Sequence, residues 1–449
     1  MSKSDIKKNS ISQAGWLSVI LMGCLFLLAF FPEVRMGPFH MVRINVLNDI
    51  QQGPPVIISK PDSLEDIKID SVAITITPPP ARRIEDYSGD ENILQYFYKA
   101  LEKSNKRPVR IAFYGDSFIE GDIISASFRD TLQKKFGGNG VGLVPLASET
   151  AGFRRSIKHT YSNWSTITMI SPNANVPIGI SGYTFMPGEN NSATYKPGKI
   201  PPQPNFKRAR VFYQNTASEK AIYYKINNGP ALSQQLSTSN QVEEITVEYD
   251  GIQTIQFQVE PIDNVLLYGV SFDDKQGVYI DNFSLRRNSG TSLSRLSPLL
   301  LKQFNRYLDY KLIILQYGLN VATDTESTNY GWYSGKMIAL IKNLKKVFPE
   351  TSILLVSVSD RSTHKDGKMI TMDAIPKLRN AQREIARKSG IAFWDMFEAM
   401  GGENSIIGRT ESIPPLAAKD YTHLTHLGGI DIGNKLAEAL IYEMARHGK

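Results

Sequence analysis

Gly115-Asp116-Ser117 follows a short apolar run, 109–114, and precedes a stretch with helical period. A serine there sits at the C-terminal end of a buried parallel strand, where open α/β sheets present ligands. Asp and Ser at a strand-to-helix turn are also ordinary N-cap residues, so the tripeptide needs partners before it implies chemistry. Asp420-Tyr421-Thr422-His423 supplies the first. An acid three residues ahead of a histidine can accept its Nδ1–H and leave the other ring nitrogen to take a proton from Ser117. Gly318-Leu319-Asn320 supplies the second, because an asparagine just after the apolar strand 311–317 can aim its amide at a developing oxyanion. Asn288-Ser289-Gly290 follows the run 278–285 and could offer the Gly290 N–H, since a residue without Cβ permits close backbone approach, although Ser-Gly is also a common turn pair. His426 opens a metal alternative with Asp420 and His423, or is simply a polar residue at a helix start, while His159 and His364 stand isolated. The chemistry these residues share is acyl transfer by an activated serine.

Such residues must be positioned by alternating strands and helices. A helix over 91–103 precedes the strand at 109–114, and further apolar runs at 312–316 and 353–358 flank a helical stretch over 333–347. A helix over 375–388 ends at Gly390, a strand occupies 391–394, and a last helix spans 429–447. In that helix Leu436, Leu440 and Met444 recur at i, i+4 and i+8, an apolar stripe expected to pack on a sheet. This rhythm predicts a three-layer α/β domain. Between 148 and 275 the rhythm breaks into short β-like segments, including 210–213, 221–226, 244–249 and 255–259, which predicts an inserted antiparallel β-sandwich. Its aromatic residues, Trp164 and Tyr195 among them, read as core or cross-strand residues more readily than as sugar contacts.

The chain of 449 residues is 41% hydrophobic and carries 51 Lys and Arg against 44 Asp and Glu. A net +7 spread over that length suits an acidic polymer or a membrane surface and gives no argument for nucleic acid. One cysteine, Cys24, excludes a disulfide framework and a cysteine-based zinc site within this chain. Residues 14–31 form eighteen consecutive uncharged positions, read as a transmembrane anchor, and Lys3, Lys7 and Lys8 before them leave residues 1–13 in the cytoplasm and export the rest. A cleaved signal peptide is the competing reading, but the run ends Phe30-Phe31-Pro32-Glu33 instead of in small residues. Leu21-Met22-Gly23-Cys24 only faintly has the form of a lipoprotein processing site. Residues 32–89, with Gly53-Pro54-Pro55 and Pro78-Pro79-Pro80, read as an extended stalk with short strands at 56–59 and 72–76.

The four blocks Gly115-Asp116-Ser117, Gly290, Gly318-x-Asn320 and Asp420-x-x-His423 occur in the order found in the SGNH, or GDSL, hydrolases, and the chain resembles that family. Residue by residue, the resemblance implies Ser117 as nucleophile, His423 as base, Asp420 as its orienting acid, and an oxyanion hole made by the Ser117 N–H, the Gly290 N–H and the Asn320 side chain. It implies no metal and no organic cofactor, and a flavodoxin-like hydrolase domain over 90–147 and 276–449. Around the first block, Gly121-Asp122, Arg129, Leu132, Phe136-Gly137 and Gly140-x-Gly142 resemble the peptidoglycan O-acetylesterases of Gram-negative bacteria, which carry a carbohydrate-binding-like β-sandwich between the first two blocks. Phe118 stands where GDSL has leucine, and Leu319 makes the third block less typical.

The expected function is therefore a serine esterase removing O-acetyl groups from a cell-envelope polysaccharide, peptidoglycan above all, on the periplasmic side of the inner membrane. An O-acetyltransferase with the same triad and a silent, anchored glycan-binding scaffold are the alternatives.

Overall fold

The computed structural model describes residues 34–36, 39–41 and 83–447, apart from 90–91, 174, 200–204, 218, 262–263 and 324–328. The anchor at 14–31, Cys24 and the stalk strands at 56–59 and 72–76 lie outside the described residues. Among the described residues no helix is long and apolar enough to cross a membrane. The chain divides into two units, Met1–Thr75 and Ile76–Lys449. In the first, strands β1 (Val34–Met36) and β2 (Phe39–Met41) pair antiparallel, with Val34 opposite Met41.

The second unit opens with β3 (Ile84–Glu85), α1 (Gln95–Leu101), β4 (Pro108–Gly115) and α2 (Ser125–Phe136). Nine strands follow: β5 (Gly142–Val144), β6 (Ile157–Thr168), β7 (Tyr183–Pro197), β8 (Phe206–Asn215), β9 (Ala221–Ile226), β10 (Ala231–Gln235), β11 (Ser239–Ile252), β12 (Ile255–Val259) and β13 (Val265–Asp273). The α/β rhythm then returns with β14 (Gly277–Ser284), α3 (Pro298–Leu308), β15 (Tyr310–Gln316), α4 (Gly331–Val347) and β16 (Ser352–Val356). The hairpin β17 (Ser362–Lys365) and β18 (Lys368–Thr371), α5 (Ala374–Ser389), β19 (Ala392–Trp394), α6 (Met396–Met400), α7 (Ser405–Glu411) and α8 (His426–His447) complete the chain.

One six-stranded sheet runs β14-β4-β15-β16-β19-β3, parallel except for the short edge strand β3. Its central strands are buried along nearly their whole length, which is why they read as unbroken apolar runs instead of alternating ones. The strand order turns back at β4. Right-handed crossovers therefore put α2 on one face and α3, α4 and α5 on the other. The helix contacts agree: α2 packs with α8 and on β14, while α4 packs with α3 and α5. Leu436 and Leu440 are buried in this core, but the neighbour of α8 is mainly α2, with a smaller contact to the sheet at its edge strand β3. Helix ends follow local chemistry: Ser297 caps α3 ahead of Pro298, and Gly390 closes α5 in the left-handed conformation.

The nine strands between the two parts of the α/β chain form one antiparallel sheet, β10-β9-β12-β7-β13-β8-β11, with β5 added on β13 and β6 on β7. They enclose their own apolar cluster, including Phe185, Tyr195, Phe257 and Phe272. Because Gly142–Val144 already pairs with β13, the sheet draws in residues ahead of 148. Tyr195 is buried and its hydroxyl donates to the Pro145 carbonyl, and the Trp164 Nε1–H donates to the Ser192 carbonyl at 2.8 Å.

Arg110 on β4 ties the two sheets together. It bonds Asp273 on β13 and Asp281 on β14, the latter through Nε at 3.2 Å and Nη2 at 2.6 Å, and Ser271 at 2.9 Å. Arg208 and Arg210 approach the same Asp273 at 2.7 Å each. Burial alone would raise the Asp273 carboxyl, but Arg210, Arg110 and Arg208 outweigh it and hold it at about 2.

Candidate active site

Three strands end at one level. Gly115 of β4 lies opposite Ser284 of β14 on one side and Gln316 of β15 on the other. The loops that leave them carry Ser117, Asn288 to Gly290, and Gly318 to Asn320. β4 is where the strand order reverses, so the crevice between β4 and β15 is the place where this topology opens toward a ligand.

Asp116 caps the 3₁₀ turn Ser117–Asp122, its carboxylate accepting the Phe118 N–H at 2.9 Å. Ser117 Oγ lies 3.0 Å from His423 Nε2, and His423 Nδ1 lies 2.7 Å from Asp420 Oδ2. The other Asp420 oxygen accepts the backbone N–H groups of Thr422 and His423, each at 3.0 Å. Burial would raise the Asp420 carboxyl, but these N–H groups and the imidazole hold it below the usual range. An ionised Asp420 keeps the proton on Nδ1, leaving the Nε2 lone pair for the serine hydroxyl. The histidine loop is anchored in turn, with Ala418 N–H donating to the His423 carbonyl and Ser362 N–H to the Tyr421 carbonyl.

The close approach of α8 sets this loop beside Ser117. A Cβ at Gly429 would fall 2.1 Å from the Ile123 carbonyl oxygen, and one at Gly433 2.2 Å from Ser127 Oγ. Only glycine lets the helix backbone lie directly on the segment that follows the serine turn.

On the opposite side, Asn320 Nδ2 donates to Asp116 Oδ2 at 3.1 Å and to the Asn288 carbonyl at 3.2 Å. Asp116 is buried, which raises its carboxyl to about 6 despite the hydrogen bonds from Phe118 and Asn320 and the nearby His423. Gly290 has φ +88°, and a Cβ there would sit 2.7 Å from the Tyr317 ring, so the position needs glycine. Its N–H donates to Asn288 Oδ1 at 2.9 Å, closing a turn instead of standing open to the crevice. Asn288, which sequence reasoning treated only as a neighbour of Gly290, thus holds both Gly290 and Asn320.

Among the described residues no cluster of His, Cys, Asp and Glu could hold a metal ion, so Asp420, His423 and His426 do not form one. His426 heads α8, and loss of water around its ring, then the charge of Arg155, lower its pKa. His159 donates from Nε2 to the Leu146 carbonyl at 3.0 Å and stacks on Tyr195, with ring centroids 4.6 Å apart. His364 lies on the β17–β18 hairpin opposite Met369.

The wider motif around the first block turns out to build the seam with the nine-stranded sheet. Asp122 pairs with Arg129 at 3.0 Å and Arg154 at 3.1 Å, and also bonds Ser156 and Ser125. Burial opposes ionisation of Asp122, but Arg154 and Arg129 hold its carboxyl far below the usual range. Cβ atoms at Gly140 and Gly142 would fall 2.3 Å from the Phe272 carbonyl oxygen and from Asp281 Oδ1.

No family model and no curated protein matches the chain. Among solved structures, a peptidoglycan O-acetylesterase superimposes with TM-score 0.66 at 19% identity, covering 81% of this chain and 99% of that one. A family two carbohydrate esterase from Cellvibrio japonicus, 13% identical, covers 64% of this chain and 99% of its own with TM-score 0.26. An acetylxylan esterase from Geobacillus stearothermophilus, 17% identical, covers 38% and 73% with TM-score 0.27. The first shows the fold: an SGNH hydrolase fold resembling that of peptidoglycan O-acetylesterases.

Proposed function

We propose that the protein is a serine esterase that removes O-acetyl groups from a cell-envelope polysaccharide, peptidoglycan in the first place. The observation that carries this reading is the continuous relay Asp420–His423–Ser117 at the sheet's switch point, with Asn320 held opposite it. The fold likeness to a peptidoglycan O-acetylesterase supports the choice of polymer.

In this mechanism Ser117 Oγ attacks the acetyl carbonyl carbon while His423 Nε2 takes the hydroxyl proton, and Asp420 steadies the imidazolium. The tetrahedral oxyanion accepts hydrogen bonds from the Ser117 N–H and from the Asn320 amide once one of its two N–H groups leaves Asp116 or the Asn288 carbonyl. Gly290 joins this set once its N–H turns away from Asn288 Oδ1. Collapse expels the sugar oxygen, which takes the proton from His423 and leaves an acetyl-enzyme. Water, deprotonated by the same nitrogen, then releases acetate and restores the serine. No step needs a cofactor.

The nine-stranded sheet acts in this reading as a β-sandwich that holds the glycan, and residues 14–31 anchor the protein in the inner membrane with the catalytic unit in the periplasm. The test is acetate release from O-acetylated peptidoglycan. Release that disappears in Ser117→Ala is the expected result, and equal release by the variant overturns the reading. Acetyl transfer to an added glycan without release would move the function to the transferase alternative.

A further inference from the structure

The segment that leads into β6 packs on the turn that carries Ser117. The 3₁₀ turn Ala151–Phe153 packs on the turn Ser117–Asp122, and a Cβ at Gly121 would lie 3.2 Å from Phe153 Cβ. Two residues later, Arg155 is close enough to His426, at the head of α8, for its charge to act on the imidazole. Phe153 is 63% exposed, an unusual position for a phenylalanine with no structural need for water.

Behind this aromatic tip lies a ribbon of unbalanced cations. Lys158 on β6 stands directly opposite Lys196 on β7, and the Arg155 carbonyl accepts the Lys199 N–H at 3.1 Å. All four side chains are exposed. Among the described residues no carboxylate pairs with any of them, and the nearby Glu120 is already engaged by Arg286 at 2.6 Å. Like charges placed opposite one another on a strand pair cost stability, so the Lys158–Lys196 pair calls for an anion. Exposed cations beside an exposed aromatic ring fit a chain that offers both an apolar sugar face and carboxylates.

We propose that Phe153, Arg155 and Lys199, continued by Lys158 and Lys196, form a glycan-chain subsite that selects carboxylate-bearing O-acetylated polysaccharides over neutral ones. The inference rests on the esterase reading of the Ser117 site and adds a substrate preference to it. A polymer with its acetyl group at Ser117 extends outward over Phe153, and its carboxylates meet the β6–β7 ribbon.

The test measures binding, so that it stands apart from the chemistry. Full-length Ser117→Ala in detergent is co-sedimented with O-acetylated peptidoglycan sacculi and with particulate acetylxylan, a neutral polymer. Adding Arg155→Gln and Lys199→Gln should lower retention on sacculi about tenfold at low ionic strength, with the difference vanishing near about 0.5 M salt. Retention on acetylxylan should stay within about twofold, and Phe153→Ala should weaken both. Arg155→Lys with Lys199→Arg should restore sacculus binding, which separates lost charge from lost folding. Unchanged sacculus binding in the glutamine variant, or an equal fall on both polymers, overturns the proposal. So does charge-dependent retention on anionic phospholipid vesicles that exceeds that on sacculi. If Ser117→Ala binds sacculi in this charge-dependent way while the native protein releases no acetate from them, the esterase reading fails and the subsite stands.

Discussion

Asp116 and Asn320, 204 positions apart, share a hydrogen bond of 3.1 Å that ties the end of β4 to the end of β15. The acid next to the serine thus holds the amide on the far side of the crevice. With the Asn288 carbonyl at 3.2 Å, it fixes where the Asn320 N–H groups lie.

Asn320→Ala should reduce kcat by about 10²–10³-fold with a smaller change in KM, the usual result of removing one oxyanion donor. Steady-state kinetics on a small acetyl ester checks this. A change confined to KM would assign Asn320 to ground-state binding.

Asp116 also gives a pH signature. Its folded pKa of about 6 lies above the 3.8 of an ordinary aspartate, so its contribution to stability is complete below about pH 4 and is lost as pH rises through 6. For a buried group this amounts to about 3 kcal/mol, from the two pKa values. Melting temperatures of Asp116→Asn and the native protein should therefore diverge in favour of the variant between about pH 4 and pH 7. Parallel curves would show that Asp116 does not titrate in that window.

Removing members of the relay should not be additive. Ser117→Ala should cost about 10⁴-fold or more in kcat, and His423→Ala added to it should cost little further, because each step needs both groups. Asp420→Asn should fall between the native enzyme and these variants, since a neutral partner no longer favours the Nδ1–H tautomer. Multiplying losses would mean that the groups act separately.

The seam makes a prediction about stability alone. Arg110→Met leaves Asp273 and Asp281 buried with one cation fewer, a change that costs about 3–5 kcal/mol in comparable buried pairs. Thermal unfolding followed by calorimetry should show a lower midpoint for the unit, and an unchanged midpoint would show that Arg208 and Arg210 suffice. Asp273 itself contributes stability above about pH 4, lost as pH falls through about 2.

Gly429→Ala should lower kcat by displacing α8 and with it His423, because its Cβ would overlap the Ile123 carbonyl oxygen at 2.1 Å. The measurement is activity beside a melting curve. A drop in stability with full activity in the folded fraction would separate helix packing from placement of the histidine.

Much of this architecture was legible in the chain. The parallel strands announced themselves because both of their faces are buried, so 109–114, 312–316 and 353–358 read as apolar runs and appear as β4, β15 and β16. Asp420 and His423 were legible as a pair because three residues separate them. Less was legible in 148–275, where partners such as Leu267 and Phe185 lie far apart in sequence and no local period records them. The role of Asp122, Arg129 and Gly142 was invisible for the same reason: their neighbours are Arg154, Ser156 and Asp281, supplied by other segments.

The sequence by itself determined the α/β alternation, the residue types able to perform acyl transfer and the order in which they occur, because these depend on local period and on side-chain chemistry. Tertiary structure alone decided that Ser117 and His423, 306 positions apart, stand 3.0 Å from each other, that the Gly290 N–H is taken by Asn288, and that Phe153 packs beside Gly121 of the serine turn. Strand register and backbone approach at glycines bring such groups together, and both are set by packing between segments that no stretch of the chain encodes on its own.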